Sequence, residues 1–317
     1  MSSKRFTVNP FDELALTAED REELVGIADT LVLSNFEKYE EYLNDNKHID
    51  IARWKKIANS GATTSYMERK KSNPDAKFPD LIMVGPLPGT LSDNMFGLMS
   101  PTLESMRIKT SYLNDFSAAA ILATIVEPTV EEPLRSVVVK WMEIDIPGAS
   151  IGLVRNRDYV YLESTGIMPL KNGEQVGYHL LHSVNFPQTH KLPNRIRGNM
   201  SFCAILHQEG PDRTDCCGRG IMDPGGDMIR SVAVMGMVQA TMAGVNSHLS
   251  MNNQRFTVNP FGELTLTAED RAKLVEITDE IIIAKFEEYE EHLNIDKLVD
   301  LKRWKKFAKS GPTTSVA

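Results

Sequence analysis

The sequence predicts an α+β fold in which a curved antiparallel sheet wraps around a long C-terminal helix and encloses a hydrophobic cavity. Three observations carry that prediction. A capped amphipathic helix opens the chain, six β-rich runs with short polar links follow between Phe116 and Met222, and a Met-, Val- and Ala-rich helical stretch closes them. A sheet of that many strands cannot be filled by one helix, so a hollow is left between them.

The opening helix starts at Thr17-Ala18-Glu19-Asp20, with Thr17 as N-cap and acids in the first turn, where the helix dipole favours them. Leu24, Ile27, Ala28, Leu31, Val32, Phe36, Tyr39 and Leu43 recur at three- and four-residue steps, which makes one face apolar. Glu22, Lys38 and Glu41 take the other face. After Trp54, GATTSYMER and LIMVG predict two strands, and the stretches 90–100 and 102–113 predict two short helices.

The runs FSAAAILATI, RSVVVKWMEI, RDYVYLESTGI, QVGYHLLHSV, GNMSFCAILH and TDCCGRGIM then predict one antiparallel meander. Asp223-Pro224-Gly225-Gly226-Asp227 resets the chain into a last helix over about 228–249. Its Met228, Met235, Met237 and Met242 offer a soft surface that repacks around apolar partners. An ordinary core helix with Met as filler is the competing reading.

Residues 5–65 return at 255–315 at a constant offset of 250, with 38 of 61 positions identical. The expected organisation is therefore a complete domain over 1–250 and a truncated second copy of its N-terminal segment over 251–317, the mark of a tandem duplication. The second copy holds a helix and one strand without their sheet, so it cannot bury its own apolar stripe. It pairs with a groove on another molecule as a dimer, swaps into the equivalent place of the first domain, or stays loosely attached.

Composition bounds the function. A formal charge of −8 disfavours a phosphate backbone, so no nucleic-acid partner is expected. The Met-rich stretch 231–245 is too short and too interrupted to span a bilayer, and no signal core opens the chain, which points to the cytoplasm. Three cysteines and seven histidines match no metal-ligand spacing, and neither a metal nor a cofactor is expected.

Several strings, in their order, resemble the START (StAR-related lipid-transfer) domain family. The most specific is Arg157-Asp158-Tyr159-Val160-Tyr161-Leu162, similar to the family's Arg-Asp-aromatic-Val strand. Trp54 followed by GATTSYMER is a second, and the stretch from Asn185-Phe186-Pro187 through Arg197-Gly198 to Met200, Cys203 and His207 is a third. The resemblance covers 1 to about 250 and implies the helix-grip fold, a tunnel for a single sterol, phospholipid, sphingolipid or fatty acid, a gate formed by the last helix, and transient contact with a membrane surface. It implies no catalysis. Two departures stand out: Glu163 is acidic where many members carry a base paired to an acid on the preceding strand, and Ser111-Tyr112 stand where a tryptophan is usual.

Period-two alternation groups the ligand-binding candidates. Arg157, Tyr159, Tyr161 and Glu163 share one face of their strand, and Trp141, Glu143 and Asp145 one face of the strand before. His182 is a buried polar anchor or a satisfied core histidine, and Met228, Met235 and Met242 come from the gate. Arg157 and Asp158 also read as a salt bridge or turn contact that fixes the strand. A cavity enzyme of cyclase or hydrolase type would use Glu143, Glu163 or His182 as acid–base groups, but the chain has no Gly-x-Ser-x-Gly elbow, phosphate loop or His-Glu-x-x-His string. A protein-interaction module with a filled cavity is the remaining alternative.

Overall fold

The computed structural model describes residues 9–72, 78–106, 118–144 and 155–226, together with Val234 and Gly236. The chain divides into one unit ending at Val258 and a second from Asn259 onward. The second unit, and with it nearly all of the repeated segment, lies outside the described residues, as does the expected closing helix apart from Val234 and Gly236, which are both helical.

The described part has the α+β architecture that the sequence predicts. Its elements are α1 (Ala18–Asn44), β1 (Trp54–Ser60), β2 (Thr63–Glu68), β3 (Leu81–Pro88), α2 (Leu91–Leu98), β4 (Ala118–Val126), β5 (Ser136–Ile144), β6 (Asn156–Pro169), β7 (Gln175–Ser183), β8 (Arg195–Arg197), β9 (Asn199–Gly210) and β10 (Arg213–Asp223). One open sheet runs in the order β1-β2-β3-β10-β9-β7-β6-β5-β4. The six predicted strands form the meander, and the N-terminal strands join it where β3 pairs antiparallel with β10. Register shifts in β1 and β4 mark bulges, which increase local twist and bend a sheet of this size.

The sequence reading placed two strands after Trp54, and the structure has three. Trp54–Ser60 pairs with β2 as an edge strand, and Lys55 and Lys56 blunt that edge against other chains. The segment before Met200, read as a link, contributes β8, which pairs parallel with the start of β6. Of the second predicted short helix, residues 103–106 are helical and the rest lies outside the described residues.

Helix α1 begins as expected. Thr17 accepts from the Asp20 amide at 3.1 Å while the Asp20 carboxylate accepts from the Thr17 amide at 2.8 Å, a reciprocal cap. Leu24, Ala28, Val32, Phe36, Tyr39 and Tyr42 are buried against one face of the sheet, where they meet Val137, Val139, Trp141, Val160, Leu162, Val176, Tyr178, Leu180 and Ile205. Arg21 donates to the Thr124 carbonyl at 2.8 Å, and the Tyr39 hydroxyl lies 3.3 Å from His207 Nδ1, so both ends of the helix are tied down. No helix among the described residues is long and apolar enough to cross a membrane.

The α1 contact gives a direct test of this packing. Phe36→Ala removes a side chain that is 9% exposed and should cost about 3–5 kcal/mol, whereas Leu33→Ala, 51% exposed on the same helix, should stay within about 0.5 kcal/mol. Urea unfolding of the full chain, read at constant m-value, checks both.

Candidate functional site

Alternation divides each strand between two surroundings. The even-numbered residues of β6 and the odd-numbered residues of β5 lie under α1. The opposite, inner face carries two further apolar clusters. One contains Phe78, Leu81, Met142, Tyr159, Tyr161, Met200 and Met222, with Leu181 and Val234 packed against it. The other joins Met83, Leu87, Ala204, Leu206 and Cys216 to Met95 and Leu98 of α2.

The inner face also carries one deeply buried ion cluster. Lys140 on β5 is fully buried, and its ammonium is paired with the Glu163 carboxylate of β6. The same ammonium donates to the Ser100 carbonyl and, at 3.1 Å, to the Ser100 hydroxyl. His179 of β7 places Nε2 3.0 Å from the other Glu163 oxygen. The register explains the meeting: Lys140 faces Tyr161 and His179 faces Thr165, so each lies one diagonal step from Glu163. Burial pushes the Lys140 ammonium down from its usual range, and Glu163 opposes that shift. With its three donors engaged, the ammonium is a settled charge rather than a group waiting for a partner.

The two tyrosines beside the cluster differ from it. Tyr159 and Tyr161 are each 3% exposed, and neither hydroxyl makes a hydrogen bond among the described residues. Burial holds both phenols well above their usual range, helped for Tyr161 by the Glu163 charge, so both stay protonated and able to donate. Buried hydroxyls normally find partners.

Arg157 lies at the start of β6 on the same face. It is buried, its Nε donates to the Pro224 carbonyl at 3.1 Å, and its terminal nitrogen bonds the Arg155 carbonyl. Arg157 and Asp158 point to opposite faces and do not pair with each other; Arg157 makes the turn contact to Pro224, and Asp158 a salt bridge to Arg197. Asp158 instead lies under α1, accepting from Arg197 at 2.8 and 3.0 Å and from Trp141 Nε1 at 3.1 Å. That carboxylate is what holds β8 against β6. Phe11 covers Trp141 edge-on at 5.9 Å and completes the knot.

The predicted candidates therefore separate. Arg157, Tyr159, Tyr161 and Glu163 share the inner face. Trp141 and Glu143 lie on the other, where Glu143 accepts from Asn156 at 2.8 Å and from Arg195 at 2.6 Å. His182 belongs with them, with Nδ1 3.0 Å from the Ser201 hydroxyl. Met228, Met235, Met242 and Asp145 lie outside the described residues. Lys140, Ser100 and His179 are the members that the sequence reading missed. A lone lysine in the apolar run SVVVKWM was the signal available for the first.

No metal-holding group of His, Cys, Asp or Glu occurs among the described residues. The three cysteines are buried thiols, and burial pushes Cys203 and Cys217 up to about 12, which leaves them inert. A hollow of about 750 Å³ lined by Tyr42, Lys47, His48, Thr64, Tyr66 and Val84 lies on the α1 side, away from the inner face.

In element order and in its single open antiparallel sheet the described part is START-like, as the sequence resemblance implied. No family model and no curated protein matches the chain. Among solved structures it is similar to human StAR-related lipid transfer protein 5, at 13% identity over 72% of this chain and 99% of that one, with a TM-score of 0.48. It is similar as well to human STARD10, at 11% identity over 80% and 87% with a TM-score of 0.48. A StAR-related lipid transfer protein from Xanthomonas axonopodis matches at 16% identity over 64% and 99%, with a TM-score of 0.44. With identities this low, the chemistry of the site has to be read from its own residues.

Two measurements probe that chemistry. Lys140→Met strands the Glu163 charge in the interior and should cost about 3–5 kcal/mol, while adding Glu163→Gln should restore a large part of the loss, as the paired unfolding curves will show. Burial lowers the His182 pKa below its ordinary 6.5, so under acid conditions the unfolded chain binds a proton that the folded one refuses. Stability should therefore fall as pH drops below 6.5 toward the folded-state value, by at most about 1.4 kcal/mol per pH unit. His182→Gln should flatten that part of the profile.

Proposed function

We propose that the protein binds a single lipid against the inner face of its sheet and releases it without chemical change. The observation that carries this reading is the inner face itself. Met142, Met200 and Met222 form one buried apolar cluster with Tyr159 and Tyr161, and Val234 packs against it. Methionine surfaces adapt to apolar guests of varied shape, and a protonated phenol can donate to a polar atom of the guest. Burying a hydrocarbon chain contributes about 0.8 kcal/mol per methylene, ample for retention without tight polar contact.

Transfer or sensing by this route requires contact with a membrane surface, where the last helix would act as the gate after the Pro224-Gly225-Gly226 turn. Gly225 and Gly226 have φ of +67° and +59°, a conformation that glycine adopts without strain and other residues rarely do. Binding without turnover is supported by the polar cluster, since the Glu163 carboxylate is shared between Lys140 and His179 and has no unclaimed role as acid or base. A cytoplasmic protein with no nucleic-acid partner fits this reading and the net charge.

Native mass spectrometry of the full chain, purified without detergent from a lipid-rich host, should show an added mass that extraction identifies as one lipid. A bare mass, together with failure to take up lipid from vesicles, would overturn the proposal in favour of an interaction module with a filled interior.

A further inference from the structure

We infer that the bound lipid is an amphiphile with an anionic head, a carboxylate or phosphate seated on Arg157, a conclusion that rests on the lipid-binding reading above. The argument starts from the charges of the inner face. Lys140, Glu163 and His179 neutralise and saturate one another. Arg157 does not share in that arrangement. It is 2% exposed, and the described residues offer its guanidinium two carbonyl oxygens and no carboxylate.

A guanidinium has five N–H donors and does not give up its charge, so among the described residues two carbonyls leave part of the fork and the charge unmatched. Burial already disfavours the charged form here, while the facing phenol of Tyr159 and the neighbouring Arg155 make smaller adjustments. A buried cation with no carboxylate partner among the described residues is well matched by an oxyanion, whose planar or forked geometry fits the guanidinium.

Position supplies the rest. Arg157 begins β6, next to the end of β5 at Ile144 and to Pro224 at the end of β10, where the chain turns toward the last helix. Along the same face follow Tyr159, Tyr161 and then Glu163, six residues on. At a strand rise of about 3.3 Å per residue, the apolar stretch between Arg157 and the ion cluster is roughly 20 Å long. An extended palmitoyl chain has that length. The head would sit at Arg157 and the tail would run along the strand face over Tyr159, Met142 and Tyr161.

The test uses the full chain, stripped of lipid, and neutral phosphatidylcholine vesicles carrying radiolabelled palmitate or palmityl alcohol. The wild-type protein should take up the acid about tenfold better than the alcohol, and Arg157→Gln should bring that ratio close to one. Arg157→Lys, which keeps the charge, should keep most of the preference; should Arg157→Gln fail to fold, this variant and the wild-type ratio decide. Lysophosphatidate against monoacylglycerol separates the two heads: a larger ratio for this pair assigns a phosphate, a smaller one a carboxylate, and either supports the inference. Equal uptake of charged and neutral partners in both pairs, or a preference that survives Arg157→Gln, overturns the anionic head and leaves lipid binding intact. Uptake of no lipid at all overturns both.

Discussion

Both faces of the sheet are buried, and everything else in the molecule follows from that constraint. A strand with one wet face can place polar residues every second position. Here β5 and β6 must satisfy an apolar surrounding on each side, so every charge on them has to be answered within the protein. Under α1 the answer is a knot: Asp158 takes Trp141 and Arg197, and Glu143 takes Asn156 and Arg195. On the inner face the answer is the Lys140–Glu163–His179 cluster anchored on Ser100.

The two networks differ in what they leave over. The α1-side knot fastens β8 and Phe11 to the central strands and so fixes the mouth of the sheet from behind. The inner cluster is self-contained at its own end of β6, and Tyr161, Tyr159 and Arg157 follow on the same strand face toward Pro224. Their alignment along one strand face gives the interior a polarity, with a settled end and a receptive end.

That arrangement also bears on the charge departure from the START pattern. The sequence shows an acid at Glu163 and places Glu143 on the preceding strand, which looks like a loss of the usual pair. The structure gives Glu163 its partner in Lys140, on the opposite face of β5 from Glu143.

How much could be read from the letters alone depends on what each pattern fixes. Thr17 and Asp20 specify a helix start by local chemistry, and the stripe from Leu24 to Tyr39 specifies one buried face, so α1 was legible almost residue by residue. The six-strand meander was legible as well, because apolar runs with short polar links leave few other topologies. Alternation, however, is unchanged when a strand is turned over. It grouped Arg157 with Tyr159, Tyr161 and Glu163 correctly but could not say that Trp141, Glu143 and His182 belong to the face under α1, nor that Lys140 and His179 belong to the inner one. The strand β8 was hidden for a related reason, since three residues carry no period and are held by two distant carboxylates, Glu143 and Asp158. The sequence by itself determined the elements, their order and the grouping of side chains within each strand. Only the tertiary structure decided which face looks inward and which charges meet, because those depend on cross-strand register and on where α1 lands, and neither is written in any local stretch of chain.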